Sequence, residues 1–239
     1  MLNVGFVFYH GFGFDISYWN NLAPMLKDFP CAFYDAGYYK NPQNPENYLK
    51  KHAEVSWVGV GHSIGFMKLL EKHKLEQIKL SGIIGLQSFE NFLGHSPTLR
   101  KIRTANLDAI LEGFKNNPED SLRDFIVTCN PTSNPYTKNS KKIHDISELD
   151  THLLTRDLNL LKNKIVIPND LPHLIIASHE DPVVDKLLVK DNFLNSKYSD
   201  IQYNVRFVKC HRHSLGYDNT KDIISYFMKF VENDFKVDN

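Results

Sequence analysis

Gly61-His62-Ser63-Ile64-Gly65 stands where the apolar run Val55-Ser56-Trp57-Val58-Gly59-Val60 gives way to Phe66-Met67-Lys68-Leu69-Leu70-Glu71-Lys72. The first run reads as a short buried strand and the second as a helix, so the pentapeptide occupies a strand-turn-helix junction. A G-x-S-x-G segment in that setting is the pattern of a nucleophile elbow. Its glycines flank a turn too sharp for side chains, because a Cβ at either position would meet the neighbouring strand or helix. Ser63 is thereby expected on a strained backbone, its hydroxyl above the sheet edge and the helix N-terminus beneath it.

Outward from this junction, apolar runs of strand length recur at Val4–Tyr9, Cys31–Tyr34, Gly82–Leu86, Leu174–Ala177 and Val205–Val208, with helical or loop material between most of them. That alternation predicts an α/β fold built on a mostly parallel sheet of about six strands with helices on both faces. Helical patterns fall at Trp19–Lys27, Phe66–Lys74 and Asp222–Phe230. From about residue 89 to 170 the rhythm breaks into helix-like stretches, Leu99–Phe114, Ser121–Cys129 and Ile146–Leu161, without a convincing strand. This segment reads as a helical cap insertion within a single domain spanning residues 1–239. Asn130-Pro131-Thr132-Ser133-Asn134-Pro135 inside it carries turn or hinge chemistry.

Composition narrows the function classes. The 239 residues hold 28 basic and 28 acidic side chains, which leaves no global field to attract nucleic acid or an anionic membrane. Val4–Tyr9 is too short to cross a bilayer, and no basic region followed by a cleavage site precedes it. Cys31, Cys129 and Cys210 are odd in number and scattered, the pattern of a reducing compartment, so a cytoplasmic location is the expectation.

A serine hydroxyl needs a base, an orienting acid and an oxyanion site, and a parallel sheet presents such groups on loops at the carboxyl ends of its strands. The loop after Leu174–Ala177 contains Glu180 and Asp181, and the loop after Val205–Val208 contains His211 and His213. Asp181 is preferred over Glu180 because it directly precedes Pro182-Val183-Val184. His213 is preferred over His211, with both kept open as the base. Cys210, His211 and His213 could instead ligate a metal, but no second cluster of matching spacing completes such a site, and neither metal nor cofactor is expected. The first strand delivers His10-Gly11-Phe12-Gly13, whose glycines let the backbone approach a substrate. The amides of Phe12 and Ile64 are therefore the candidate oxyanion donors. His10 and His62 are read as structural. Phe12, Phe14, Trp19, Tyr38, Phe66, Phe89 and Phe92 are close in sequence to these loops and are candidate pocket residues, about half of them expected to be core.

Taken together, His10-Gly11-Phe12-Gly13 followed by Trp19, the Ser63 elbow, Asp181 and His213 resemble the α/β-hydrolase superfamily over nearly the whole chain. The resemblance implies the α/β-hydrolase fold and a serine hydrolase with the order Ser, acid, His. Within the superfamily the chain is most similar to BioH-type pimeloyl-[acyl-carrier protein] methyl ester esterases of biotin synthesis, through the His-Gly-aromatic-Gly loop, the compact cap and Pro118-Glu119-Asp120-Ser121-Leu122-Arg123. That similarity implies a carboxylesterase; Phe12, Trp19, Phe66 and Phe89 are its candidate substrate-binding residues by their place in sequence beside the proposed catalytic loops. The similarity also implies that Arg123, Lys138 and Lys142 contact an acidic acyl carrier protein or its prosthetic arm. Between Thr98 and Lys142 eight basic residues face five acidic ones, a weak local excess that suits such a partner. Three features depart from the superfamily pattern: the chain starts on the oxyanion strand without a preceding hairpin, Ala36-Gly37-Tyr38-Tyr39 replaces the usual turn after Asp35, and no proline follows the histidine. Lipases, thioesterases and carbon–carbon bond hydrolases share the same triad, and a slow-turnover ligand-binding protein of this fold would retain it.

Overall fold

The structure, a computed structural model, describes residues 3–129, 148–195, 203–217 and 219–235. Six strands form one wholly parallel sheet: β1 (Val4–Tyr9), β2 (Cys31–Tyr34), β3 (Ser56–His62), β4 (Gly82–Leu86), β5 (His173–Ser178) and β6 (Val205–Val208), in the order β2-β1-β3-β4-β5-β6. The centre of the sheet is buried from end to end, as expected when both faces are covered. Strand alternation decides what each face meets. Gly59, Gly61 and Gly85 lie against Leu69 and Phe66 of α2 (Ile64–Lys74), while Gly82 meets Phe230 of α7 (Thr220–Asp234). On the α7 side Phe6 stacks on Phe227 at 5.8 Å, and Phe8 packs on Trp19 at 4.9 Å.

Two shorter helices, α1 (Glu46–Lys51) and α6 (Lys186–Phe193), lie outside the helical patterns read from the sequence. The helix expected over Trp19–Lys27 is instead two single 3-10 turns, Ile16–Trp19 and Ala23–Leu26. Asn20, Leu22 and Met25 each donate to the carbonyl three residues back, and Pro24 has no N–H with which to extend an α-helical ladder. Trp19, Leu22 and Leu26 are buried all the same, since their spacing suits either helix type.

Between β4 and β5 run α3 (Pro97–Asn116), α4 (Pro118–Cys129) and α5 (Thr151–Leu160). The last begins later than the sequence pattern suggested, because the Asp150 carboxylate accepts from the Leu153 amide at 2.8 Å and fixes the N-terminus there. Asp191 and Asn192 on α6 tie this region to the sheet. Asp191 accepts from the His95 and Ser96 amides ahead of α3, and Asn192 accepts from the Glu90 and Asn91 amides. Glu90 accepts from the Ile167 amide at 2.6 Å and the Tyr203 hydroxyl at 3.0 Å, and its burial pushes the carboxyl pKa up.

One ion pair joins α5 to α2. Lys68 Nζ contacts Asp157, whose carboxylate also accepts from the Tyr38 hydroxyl at 2.5 Å, and all three side chains are buried. Burial lowers the Lys68 pKa, while the Asp157 charge works to restore it. Breaking one partner of a buried pair strands the other. Lys68→Met is therefore expected to lower stability by about 3–5 kcal/mol in urea unfolding. Lys68→Met combined with Asp157→Leu should recover much of that loss. A single variant within about 1 kcal/mol of the parent would show that water or Arg156 compensates Asp157.

Candidate active site

At the end of β3 the chain turns into α2 through Ser63, held at φ 53° and ψ −125° in a region that L-residues with side chains seldom occupy. The flanking glycines make this possible. A Cβ on Gly61 would lie 2.2 Å from the Phe66 Cα, and one on Gly65 would lie 2.3 Å from the Tyr9 carbonyl oxygen. The elbow expected from Gly61-His62-Ser63-Ile64-Gly65 is thus present in the backbone itself. Ile64 opens α2, so its amide lies in the first turn, where no intrahelical carbonyl reaches it.

The loop after β1 runs beside the elbow. A Cβ on Gly11 would sit 3.2 Å from Ser63 Cβ and 2.5 Å from His62 Nδ1, so only a glycine lets this backbone come so near. His10 braces the loop from below: one ring nitrogen is 2.9 Å from the Gly11 carbonyl, and the other accepts from the Ala36 amide at 3.0 Å. The same nitrogen is 3.5 Å from Asp35. Burial works to raise the Asp35 pKa, but the nearby His10 ring and the Gly37 and Ile16 amides, which donate to the carboxylate, outweigh it and lower the pKa. On the other side, Gly13 has φ 71°, and a Cβ there would strike Leu122 of α4 at 2.6 Å. The Phe12 ring is enclosed by Tyr38, Phe114 and Phe125 at centroid distances of 5.3 to 5.8 Å.

The two loops beyond β5 and β6 separate the four candidate side chains into two pairs. Asp181 and His213 are buried together, with His213 Nδ1 2.8 Å from Asp181 Oδ2. Asp181 Oδ1 accepts from the Val183 and Val184 amides at 2.7 and 2.9 Å, which fixes the carboxylate plane. Glu180 and His211 instead pair with each other at the surface, both more than half exposed. The His213 Nε2 atom, on the far side of the ring from Asp181, is buried and makes no hydrogen bond. Cys210, His211 and His213 do not converge, and among the described residues no group of three His, Cys, Asp or Glu side chains is arranged to hold a metal.

His62 is closer to the candidate base than its sequence position suggested. Its ring stacks on Tyr18 at 4.2 Å, lies 4.8 Å from the His213 ring, and Nε2 bonds the His213 carbonyl oxygen at 3.1 Å. Burial, with the neighbouring His213 charge, holds the His62 pKa well below its ordinary value, so it is a neutral donor to that carbonyl. Tyr18 also accepts from the Gly216 amide at 3.2 Å, and α4 reaches the same loop through the Cys129 carbonyl, which accepts from the His213 amide at 3.0 Å. The sequence offered no sign of these supports, because they join residues more than forty positions apart.

Of the proposed pocket residues, Trp19, Tyr38, Phe66 and Phe89 are almost wholly enclosed by protein. Trp19 is wedged between Phe8 and Tyr18, Phe66 fills the space beneath Gly61 and Gly85, and Phe89 packs on Phe92; each is at most 1 % exposed. All three belong to the buried hydrophobic core. Arg123 lies on the exposed side of α4, paired with Asp120 one turn earlier. Lys138, Lys142 and the Asn130–Pro135 turn fall outside the described residues. A mostly apolar groove of 520 Å³ is lined by residues of α3 and α4, Phe114 and Phe125 among them, and by Pro182 and Val183. It includes Pro182 and Val183 next to Asp181 but not Ser63.

No protein-family model matches the chain, and a search of curated proteins returns no match. Solved structures do resemble it. The esterase EaEST from Exiguobacterium antarcticum superposes with a TM-score of 0.73 at 14 % identity, covering 96 % of this chain and 92 % of that one. A lipase-esterase related protein from Clostridium acetobutylicum gives 0.64 at 17 % identity over 95 % and 94 % of the two chains, and MenH from S. aureus gives 0.64 at 14 % identity over 99 % and 96 %. Likeness at such low identity concerns architecture, and with the parallel six-stranded sheet it establishes that this chain has the α/β-hydrolase fold.

Proposed function

We propose that the protein is a serine carboxylesterase in which Ser63 is the nucleophile, His213 the general base and Asp181 the residue that orients it. The observation carrying this reading is the buried Asp181–His213 hydrogen bond, whose histidine loop is bonded by His62, the residue before a serine held at positive φ. Asp181 fixes Nδ1 as the protonated nitrogen and leaves Nε2 to accept the Ser63 proton. The hydroxyl oxygen then attacks the ester carbonyl. Negative charge gathers on the carbonyl oxygen between the Phe12 and Ile64 amides, His213 returns the proton to the departing alcohol, and water hydrolyses the acyl-enzyme by the same steps. These steps use only the chain's own residues.

The chemistry of the acyl part follows from the groove between α3 and α4, whose apolar walls suit a hydrocarbon chain. In this reading the helices between β4 and β5 act as a cap that selects substrate. A carrier-bound pimeloyl methyl ester in biotin synthesis is the narrower proposal, supported by the sequence resemblance and by the exposure of Arg123 on α4. A cytoplasmic setting belongs to the same proposal; among the described residues no helix is long and apolar enough to cross a membrane. A thioesterase using the same groove is the second reading. A protein described as a thioesterase, RedJ from Streptomyces coelicolor, has the same fold, with a TM-score of 0.60 at 12 % identity.

Three experiments address this proposal. A serine-directed phosphonate should label the protein at Ser63, and labelling that survives in Ser63→Ala would exclude this nucleophile. His213→Ala should cut kcat on a p-nitrophenyl ester by at least about a thousandfold, whereas His211→Ala should leave most activity. The opposite ranking would move the base to the surface pair. Replacing Arg123, Lys138 and Lys142 together by glutamate should raise KM for a carrier-bound ester and spare a small p-nitrophenyl ester, since rim charges act on encounter. Unchanged kinetics on both substrates would remove the carrier protein from the proposal.

A further inference from the structure

Beyond β4, Gln87 is fully buried and holds a backbone conformation with φ 48°, in the left-handed region where a long side chain is strained. Its amide still continues the sheet, donating to the Ile176 carbonyl at 2.9 Å. The conformation sends the carboxamide between the two loops that carry the acid and the base. Gln87 Oε1 accepts from the Ser178 amide at 2.8 Å, and Gln87 Nε2 donates to the Arg212 carbonyl at 3.1 Å. Ser178 is the last residue of β5, three positions before Asp181, and Arg212 immediately precedes His213. A second link runs parallel to it: the Ser178 hydroxyl donates to the Cys210 carbonyl.

We propose that Gln87 is a positioning residue, whose carboxamide sets the register of the acid loop against the base loop and so the geometry of the Asp181–His213 bond. This inference rests on the roles proposed above for Asp181 and His213. Three features of the site carry it. A carboxamide is the side-chain group that offers an acceptor and a donor a fixed distance apart, which matches one loop presenting N–H and the other C=O. Ser178 closes β5 and Arg212 lies in the loop after β6, and both are met by the Gln87 side chain, not by its backbone, so the bridge is not part of the sheet ladder. A glycine or asparagine would take the same backbone with less strain, yet neither reaches both loops. The strained conformation is thus coupled to a contact that only the longer side chain makes.

Gln87→Asn and Gln87→Gly test this, because both relieve or tolerate the positive φ while removing the bridge. Each would be compared with the parent by circular-dichroism melting, by kcat and KM on a p-nitrophenyl ester across pH, and by the His213 Nδ1–H signal in spectra of ¹⁵N-histidine-labelled protein. Both variants should remain folded at the assay temperature. The expected result is a fall in kcat of about 10- to 100-fold with KM held within about twofold, as for a reacting group displaced by a fraction of an ångström to an ångström. A looser carboxylate stabilises the imidazolium less, so the acid limb of kcat should move to lower pH. The Nδ1–H signal should weaken or shift upfield. Parent-like pH limbs and Nδ1–H signal in both variants would overturn the inference, whatever happens to kcat. Unfolding of both would likewise overturn it, making Gln87 a determinant of the fold. If the parent itself fails to hydrolyse any ester, the proposed function falls, and the Nδ1–H signal alone still decides whether Gln87 sets the Asp181–His213 bond.

Discussion

The backbone of Ser63 is the constraint on which the rest of the site depends. A serine at φ 53° and ψ −125° costs roughly 1–3 kcal/mol, and it persists only because β3 and α2 are both anchored on either side of it. The anchoring is steric as much as attractive. Gly61 lets the first turn of α2 lie against its own strand, and Gly65 lets that helix lie on the carbonyls of Tyr9 and His10. The same packing leaves room for the β1 loop to come against Ser63 at Gly11.

Polar groups buried around this turn then fix what the sterics leave free. Asp157 takes the Tyr38 hydroxyl and Lys68, and Tyr38 in turn packs on Phe12 and His10. The α5 helix is thereby linked to the loop carrying the Phe12 amide and to the helix carrying the Ile64 amide. On the other flank, Tyr18, His62 and the Cys129 carbonyl support the loop of His213. Such groups are costly to bury, and every hydrogen bond they make recovers part of that cost while admitting a single arrangement. A site whose reacting atoms must be held within a fraction of an ångström gains from that exclusiveness more than from stability.

Much of this was legible in the chain. All six strands coincide with apolar runs, because a parallel sheet covered on both faces demands continuous hydrophobic segments and the loops between them do not. The elbow was legible because its glycines flank the serine within one short stretch at a strand-to-helix switch; Gly61 is required by Phe66, five positions on, whereas the contact that requires Gly65, the Tyr9 carbonyl, lies far away in sequence. The short α1 and α6 helices escaped notice since six to eight residues carry too little periodicity to register, and the 3-10 turns at Ile16–Trp19 and Ala23–Leu26 bury the same residues that an α-helix would. Trp19, Phe66 and Phe89 show the limit of proximity in sequence: a residue beside a catalytic loop can point into the sheet as readily as into a pocket.

The sequence alone determined the α/β layering, the strand-turn-helix around Ser63 and the two loops from which an acid and a base would come, because each is a local pattern of apolarity, glycine and chain order. Which carboxylate and which imidazole meet was decided only in three dimensions. Glu180 and Asp181 are neighbours, as are His211 and His213 but for one residue, and nothing in their order distinguishes an inward from an outward side chain. Burial made the choice, enclosing Asp181 with His213 and leaving Glu180 with His211 in solvent. Gln87, Tyr18 and Asp157 likewise acquired their roles from contacts that span the chain, where the physical cause is desolvation of paired groups and no local pattern records it.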